Sequence, residues 1–389
     1  MPPGFSLLKL VRRATIKPLL LFPRNRKSCQ FFGNKKFAAK MEVDPVAKQR
    51  KISSESNVRV IGTHSGCFHC DEVLAVVMLK FLPEWKNAQI VRTRDEEILK
   101  TCDIVVDVGG VFNPETKRFD HHQKTFTHSM STVRPGTPWV TKLSSAGLVY
   151  AHFGEDIIAH ILDKGREDEV VVKLFDKVYT NFIEEIDAID NGVAVSDGEL
   201  KYRITTTLSG RVGGLNSSWR DPDPSEEKDM VNFHKAMELV RSEFLTKVHF
   251  YANDWWEAYS IVAAAVEARF EVDSSGLIVE FPQGGVPWKD HLKDIEDTTG
   301  VMIAFVIYQD GSGMWRIQAV PVAPASFTSR VPLHPAWCGL RNKELEEISK
   351  IPTIKFVHSS GFIGGASDRG DAIQMAKLSL AAKGEWNGD

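Results

Sequence analysis

The stretch GTHSGCFHCDE, residues 62–72, places six side chains that can bind a metal within eleven positions. They are two histidines (His64 and His69), two cysteines, an aspartate (Asp71) and a glutamate. The strand-like segment VRVIGTH leads into this stretch, and DEVLAVVMLKFL, which has helical apolar spacing, follows it. The polar cluster therefore lies where a predicted strand ends. A lone CxxC pair without a second pair is weak evidence for a zinc site.

Similar polar residues occur at three further predicted element ends. The first is one aspartate that follows the apolar run IVV and precedes a glycine pair one residue later. The second is the DHH triplet within KRFDHHQK. The third is the pair of aspartates in EEIDAIDNG, which are three positions apart and therefore lie on one helical face. Each group alone has an ordinary explanation, such as a helix cap, a surface pair or an acidic helix end. Their recurrence at four ends favours a single site. The residues are Asp107, Asp120, His121, His122, Asp187 and Asp190.

The ligand types favour one class of metal. Carboxylates and imidazoles with little thiolate suit a hard or borderline ion, Mn²⁺ first and Mg²⁺ second, better than structural zinc. Six or more ligands are too many for one ion with open positions, so the pattern predicts two divalent ions. Such a pair can activate water and neutralise charge on a phosphoryl group.

The predicted elements explain why these residues meet. The segments VRVIGTH, AQIVRTR and CDIVVDVGG alternate with helical patterns, which is typical of a parallel sheet covered by helices. Ligands of such sheets bind beyond the carboxyl ends of the strands. A long helix is predicted from Asp168 to Ala188 and a long loop from Ser209 to Pro224. Beyond residue 270, GLIVEFP and the hairpin-like MIAFVIYQDGSGMWRIQAVPV predict antiparallel strands.

The fold class is therefore predicted as α/β, with a parallel-sheet domain at 57–270 and a smaller C-terminal α+β domain at 271–385. The chain has 389 residues, 43% of them hydrophobic, and no apolar run near the roughly 20 residues of a membrane span. Its five cysteines show no framework spacing, which predicts free thiols.

Charge is distributed unevenly along the chain. Residues 1–41 hold ten Lys and Arg and no acid, which predicts a mitochondrial presequence, and 42–56 is predicted to be a linker. Met41 offers an alternative start that would leave the protein cytosolic or nuclear. The whole chain has a formal charge of −3, so residues 42–389 carry −13. An acidic body argues against binding nucleic acid mainly through a basic surface.

These motifs resemble the DHH phosphoesterase superfamily, which is named for a triplet like that at 120–122. Within it, THSGCFHCDE, DVGGVFNPETKRFDHHQ, EEIDAIDNG and FVHSSGFIGGA look like the Myg (melanocyte-proliferating-gene) family of exonucleases, over residues 58–382. Two features depart from the wider superfamily. His69 stands where an aspartate is usual, and His64 lies one residue further upstream, so the metal preference can differ.

The resemblance implies a DHH-phosphoesterase-like parallel domain that carries the two ions, with Asp120 and His122 as catalytic groups around the ions or as substrate contacts. A C-terminal domain would close over the cleft and bind substrate. The implied metal ligands are His64, His69, Asp71, Asp107, His121 and Asp187, the last preferred to Asp190. The implied substrate-binding residues are Arg330, Arg341, His358, Ser360, Gly364 and Gly365, and Trp288 and Trp315 could stack on bases.

Family kinship implies a metal-dependent 3′–5′ exoribonuclease that acts on a single-stranded RNA end in the mitochondrial matrix and the nucleus. A pyrophosphatase or small phosphoester hydrolase of the same superfamily is the alternative. A metal-binding scaffold without activity is a third possibility, but every motif position carries a competent ligand.

Overall fold

The computed structural model describes residues 58–222 and 224–382, so the predictions for 1–41 and 42–56 lie outside the described residues. The first sheet has the strand order β2-β1-β3-β5-β4. Strands β1, β2, β3 and β5 are parallel, and β4 is antiparallel to β5. The strands are β1 (Val60–Thr63), β2 (Gln89–Arg92), β3 (Ile104–Val106), β4 (Phe112–Asn113) and β5 (Arg118–Phe119).

Ten α-helices follow β1 along the described chain before the strands of the second sheet begin. They are α1 (Cys70–Leu79), α2 (Glu96–Lys100), α3 (Met130–Val133), α4 (Ser145–Leu162), α5 (Glu169–Val178), α6 (Glu184–Asp190), α7 (Leu208–Gly213), α8 (Glu226–Phe250), α9 (Trp256–Glu267) and α10 (Arg269–Val272). Every residue of α1 is buried, as expected for a helix that is mostly apolar on all sides. This central helix nevertheless carries acidic residues in its first turn, which therefore lie in the interior.

The predicted long helix is interrupted. Asp168 caps α5 by accepting from the backbone N–H of Val170, and a π-helical turn, Tyr179–Ile183, then joins α5 to α6. The predicted loop over 209–224 was wrong in part, because α7 occupies its beginning. There the Thr207 hydroxyl caps the helix by accepting from the N–H of Gly210.

The second sheet has the order β6-β7-β8-β10-β9. Its strands are β6 (Ile278–Phe281), β7 (Phe305–Gln309), β8 (Trp315–Ala319), β9 (Ile354–Val357) and β10 (Ile363–Ala366). The predicted hairpin is confirmed as β7–β8, whose turn Asp310 stabilises by accepting from Ser312 and Met314 N–H. The prediction that GLIVEFP forms an antiparallel strand was wrong: β6 and β7 are parallel, because a helix crosses between them.

Three helices belong to this sheet: α11 (Lys289–Thr299), α12 (Asn342–Ser349) and α13 (Arg369–Ala381), with a 3₁₀ turn at Pro335–Trp337. The apolar core follows the two sheets, with one cluster between Ile61 and Trp255 and two others drawn from Val262 onwards. The predicted fold class, a parallel α/β sheet followed by a smaller α+β part, is confirmed. The described residues belong to one compact unit, and the boundary near residue 270 stays a prediction. None of the described helices has the length and apolarity to cross a membrane.

Candidate metal centre

The predicted metal-binding residues follow neighbouring parallel strands. His64 comes directly after β1, Asp107 directly after β3, and Asp120 directly after β5. Since these strands are adjacent in the sheet, their carboxyl ends bring the three side chains to one edge. The first turn of α1 brings Asp71 and Glu72 to the same place, and both are buried.

One group of possible ligands is His64, His69, Glu72 and Asp107. His64 Nε2 lies 2.9 Å from Glu72 Oε1 and 3.3 Å from Asp107 Oδ2. Its Nδ1 lies 3.1 Å from the Ser65 carbonyl and donates to it in the tautomer that carries the proton on Nδ1. The Nε2 lone pair is then available to a metal, as for a histidine ligand held by a backbone carbonyl.

Two further groups are linked to the first in a chain, since the second shares Asp107 with the first and the third shares His121 with the second. They are Asp107, His121 and His122, and Asp71, His121 and Asp190. His121 Nε2 lies 3.2 Å from both Asp107 Oδ1 and Asp190 Oδ2. The two carboxylate oxygens of Asp107 thus face different histidines, which is the geometry of a carboxylate that bridges two cations.

Unsatisfied buried atoms show that this donor set fits a cation. Asp71 Oδ1, Asp107 Oδ1 and both ring nitrogens of His121 have no hydrogen-bond partner, although they are fully enclosed. His121 Nε2 and Asp107 Oδ1 are close but lack hydrogen-bonding geometry. Buried polar atoms are normally paired or bound to metal, so these atoms can hold divalent ions.

The electrostatics point to the same conclusion. Burial, and then the charges of Asp107, Asp190 and Glu72, raise the pKa of Asp71 well above its usual value. Burial opposes protonation of His64, but its contacts with Asp107 and Glu72 prevail and raise its pKa to about 10. A divalent ion would relieve this concentration of negative charge and displace the His64 proton.

Asp120 belongs to none of these groups. Its Oδ1 accepts from the backbone N–H of His121 and of His122, at 2.8 and 3.2 Å, and from His122 Nδ1 at 2.7 Å. Its Oδ2 accepts from Gly110 N–H at 2.5 Å. Asp120 therefore orients the DHH segment, and its hydrogen bond raises the pKa of His122, whose side chain is 62% exposed.

The structure changes the choice between Asp187 and Asp190. Asp187 is fully buried, and its Oδ1 accepts from Ser144 N–H (2.9 Å), Ser144 Oγ (2.7 Å) and Gly147 N–H (3.1 Å). Its Oδ2 accepts from the Tyr179 hydroxyl at 3.0 Å. Asp187 already accepts from four donors and belongs to none of the three ligand groups. Asp190, and not Asp187, belongs to the group with Asp71 and His121.

The C-terminal candidates are less well supported. Arg330 is held by Glu296 in a two-pronged ion pair, with N–O distances of 2.6 and 2.7 Å, and donates to the Ile303 and Pro321 carbonyls. Four of its five N–H donors are thus engaged, which indicates a structural role, and its contact with substrate stays a prediction. Arg341 is exposed, with its guanidinium 5.8 Å from the centroid of the Phe356 ring.

Packing explains the two glycines of β10. A Cβ at Gly364 would lie 2.8 Å from Met375 Cε, and one at Gly365 would lie 2.8 Å from Phe356 Cε1. Both residues are buried in the sheet and therefore do not present open backbone to a phosphate. His358 and Ser360 are exposed and hydrogen-bond to each other. Trp288 is a core residue, and Trp315 is half-buried against the core.

Two cavities flank the cluster, and the described residues that line them all lie between 64 and 213. One, of about 750 Å³, contains Asp71, His121 and Asp190; the other, of about 480 Å³, contains His64 and Asp107. His69 and His122 line both cavities. The predicted contribution of the C-terminal domain to the cleft is not visible in either lining and stays a prediction.

Sequence reasoning missed Glu72 and Arg94. Glu72 accepts from the His69 N–H at 2.8 Å at the start of α1. A cap residue followed three positions later by glutamate is a known pattern of helix starts, and it could have revealed this role of Glu72. Arg94 lines the smaller cavity, and its guanidinium lies 3.3 Å from His64 Nδ1. A lone arginine after a predicted strand gives no signal of this position.

Comparison with known proteins agrees with the site. A family model described as "Uncharacterised protein family (UPF0160)", the MYG1 exonuclease family, matches residues 60–380. The MYG1 exonuclease of Mus musculus is 52% identical over 345 residues, which cover 88% of this chain and 90% of the relative. That of Homo sapiens is 52% identical over 326 residues, covering 83% and 86%.

Among solved structures, a pGpG-specific phosphodiesterase, PggH, from a Vibrio species superposes with 14% identity over 84% of this chain and 99% of that one. Its TM-score is 0.25, so this likeness supports no conclusion about the present chain. The family model and the relatives cover most of the sequence, including every strand-end motif of the metal centre. The chain therefore belongs to the MYG1 exonuclease family.

Proposed function

We propose that this protein is a metal-dependent phosphodiesterase that removes nucleotides from the 3′ end of single-stranded RNA. The observation that carries the proposal is the bridging geometry of Asp107, whose Oδ2 lies 3.3 Å from His64 and whose Oδ1 lies 3.2 Å from His121. Such a carboxylate suits two adjacent divalent ions, Mn²⁺ first and Mg²⁺ second. Membership of an exonuclease family supports the choice of a phosphodiester as substrate.

The residues divide into two ligand sets. One ion would be held by the group that contains His64 and Glu72, and the other by Asp71, His121 and Asp190, with Asp107 between them. When bound, the ions would polarise the phosphoryl group and lower the pKa of the attacking water.

His122 would donate a proton to the leaving group, and Asp120 would orient His122 for this step. Asp120 accepts a hydrogen bond from His122 Nδ1 at 2.7 Å and raises the pKa of the imidazole, which favours its protonated form. His122 lines both cavities and can therefore donate its Nε2 proton to the oxygen that leaves. The same carboxylate fixes the ring orientation, as the aspartate of a catalytic triad does for its histidine.

A pyrophosphatase is disfavoured by the cavity on the Asp190 side. A pyrophosphate cleft needs several closely spaced cations, whereas the described lining of this 750 Å³ cavity contains one lysine and apolar wall residues. That combination suits a sugar and a base better than two phosphates.

The direct test is incubation of the purified protein with Mn²⁺ and RNA or DNA oligonucleotides labelled at either end. We expect 5′-labelled RNA to shorten one nucleotide at a time, 3′-labelled RNA to release a labelled mononucleotide at once, and EDTA to abolish both. Internal cuts, shortening from the 5′ end, or hydrolysis that persists in EDTA would contradict the proposal.

A further inference from the structure

The larger cavity beside the metal cluster has one lysine and no arginine among the described residues of its lining, and that lysine is Lys142. Around it lie Asp71, His121 and Asp190 of the candidate metal centre. Lys142 precedes α4, is half-buried, and belongs to no motif that the proposed chemistry uses. It is a positive charge placed beside a reaction centre whose protein ligands are acidic or neutral.

The backbone of Lys142 is fixed relative to the metal ligands. Its carbonyl accepts from Asn191 Nδ2 at 2.9 Å, and Asn191 directly follows Asp190. On the other side, Lys142 forms an isolated antiparallel bridge with Ser129, and Leu143 N–H donates to the His128 carbonyl at 2.9 Å. The lysine is therefore tied to the end of α6, and its distance from the cluster is set by structure.

The ammonium group of Lys142 is uncommitted. Within residues 58–222 and 224–382 it has no carboxylate within ion-pair distance, and its recorded contact is with the face of Phe126, whose ring centroid lies 5.5 Å from Nζ. A half-buried lysine can pack its aliphatic stem against the protein and keep its ammonium group at the cavity surface. A cation held in this way is available to an anion that enters the cavity.

The remaining walls indicate what else enters with that anion. Phe68, Ile186 and Ile189 supply an apolar surface, and Thr207 and Asn191 supply polar atoms. The volume of about 750 Å³ exceeds what a phosphate alone needs and lies in the range of small-molecule sites. Apolar wall, polar groups and one cation together suit a nucleotide.

We infer that Lys142 binds a phosphate of the substrate next to the one that is cleaved, so that this cavity holds the nucleotide unit adjoining the scissile bond. This inference rests on the proposed function and adds a specificity-determining residue to it. Lys142 thus makes the enzyme prefer substrates that carry a second phosphate, and it distinguishes a nucleic acid chain from a simple phosphodiester.

Two chromogenic substrates test the inference. One is a nucleoside 3′-(p-nitrophenyl phosphate), and the other is the same compound with an additional phosphate on its 5′ hydroxyl, the side on which the next phosphate of an RNA chain lies. For the wild-type protein with Mn²⁺ we expect kcat/KM to be at least about tenfold higher for the compound with the additional phosphate, as for one charged hydrogen bond. Lys142→Met, which keeps the length of the side chain, should bring that ratio close to one, and Lys142→Arg should retain most of it.

Lys173→Met is the matched control. Lys173 is exposed on α5, lines neither cavity, and its replacement removes the same charge. This variant should keep the wild-type ratio. If the ratio falls equally in both lysine variants, the effect is one of net charge and the inference is wrong.

Binding provides a second readout. With Ca²⁺ in place of Mn²⁺ to stop hydrolysis, the salt dependence of fluorescence anisotropy for a labelled single-stranded RNA should lose about 0.7 of log–log slope in Lys142→Met, the contribution of one phosphate contact. An unchanged slope together with equal loss of activity on both chromogenic substrates would place Lys142 at the scissile phosphate and overturn the inference.

If the wild-type protein hydrolyses neither compound nor RNA, the proposed function itself fails. If it hydrolyses both compounds equally, that function stands and the inference falls.

Discussion

At the scale of single residues, the two aspartates of EEIDAIDNG show how one sequence pattern serves two purposes. Both lie on one face of α6, three positions apart, yet they meet different surroundings. Asp187 points to the N-terminus of α4, where backbone and hydroxyl donors surround it, and burial raises its pKa to about 7. Asp190, one turn later, meets His121 and Asp71. The first aspartate positions the helix, and the second belongs to a group of side chains that could hold a metal ion.

Replacing each aspartate by asparagine separates these roles. Asp187→Asn keeps one oxygen for the three donors near Ser144, and the Tyr179 hydroxyl can rotate to accept from the new amide, so we expect metal binding and most activity to remain. Asp190→Asn removes a ligand charge and should lower turnover at least about a hundredfold, as loss of a metal ligand or its support commonly does. Metal titration by calorimetry and initial rates on a short RNA check both variants. The reverse order of severity would restore Asp187 as the ligand.

At the scale of elements, the N-terminus of α4 fixes the position of two aspartates from different helices. Ser145 donates its hydroxyl to Asp71 Oδ2 on α1 at 2.8 Å, and Ser144 and Gly147 hold Asp187 on α6. The positive end of an 18-residue helix also favours these negative charges. The segment SSAG thus aligns α1 and α6 so that Asp71 and Asp190 can meet at one metal position.

Gly147→Ala tests this alignment. A Cβ at Gly147 would collide with the Asp187 carboxylate, which is buried and has nowhere to move. We expect a loss of stability of about 1–3 kcal/mol, as in other overpacked cores, together with weaker metal binding. Gly165→Ala is the control, since a Cβ there meets nothing within 4 Å. Chemical denaturation and metal titration of both variants give the measurement, and equal behaviour of the two would refute the alignment.

In the second sheet, Arg330 and Arg341 differ in what their charges contact. Arg330→Met would leave Glu296, which is buried, without its partner and should cost about 3 kcal/mol of stability. Arg341→Met removes an exposed charge and should leave the free energy of unfolding almost unchanged. Urea denaturation of both variants checks this expectation. A raised KM for RNA in Arg341→Met alone would support the predicted substrate role of the C-terminal domain.

At the scale of the whole molecule, the sequence predicted the parallel sheet and its ligand-bearing edge because local patterns determine both. The apolar runs before His64 and Asp107 identify strands, and parallel strands place their carboxyl ends together. The choice between Asp187 and Asp190 could not be predicted, since it depends on where α4 packs, which no local pattern encodes. The ion pair of Arg330 could not be predicted for the same reason: its partner Glu296 lies 34 residues away in the chain. Sequence patterns thus identified the ligand-bearing ends, while the partners of individual charges required the tertiary structure.

Where the protein acts is a further proposal at this scale, and it concerns residues outside the described structure. The ten basic and no acidic residues of 1–41 suggest import into mitochondria, and Met41 could start a shorter, nuclear or cytosolic form. A fluorescent reporter fused to residues 1–41 should enter mitochondria, whereas the same segment with Arg12, Arg13, Arg24 and Arg26 changed to glutamate should not. The form translated from Met41, residues 41–389, should stay outside mitochondria. Its metal-dependent hydrolysis should be unchanged, because the first of the possible ligands is His64. A reporter that stays diffuse with residues 1–41 attached would rule out the presequence, while loss of hydrolysis from the Met41 form would show that the first 40 residues support the catalytic fold.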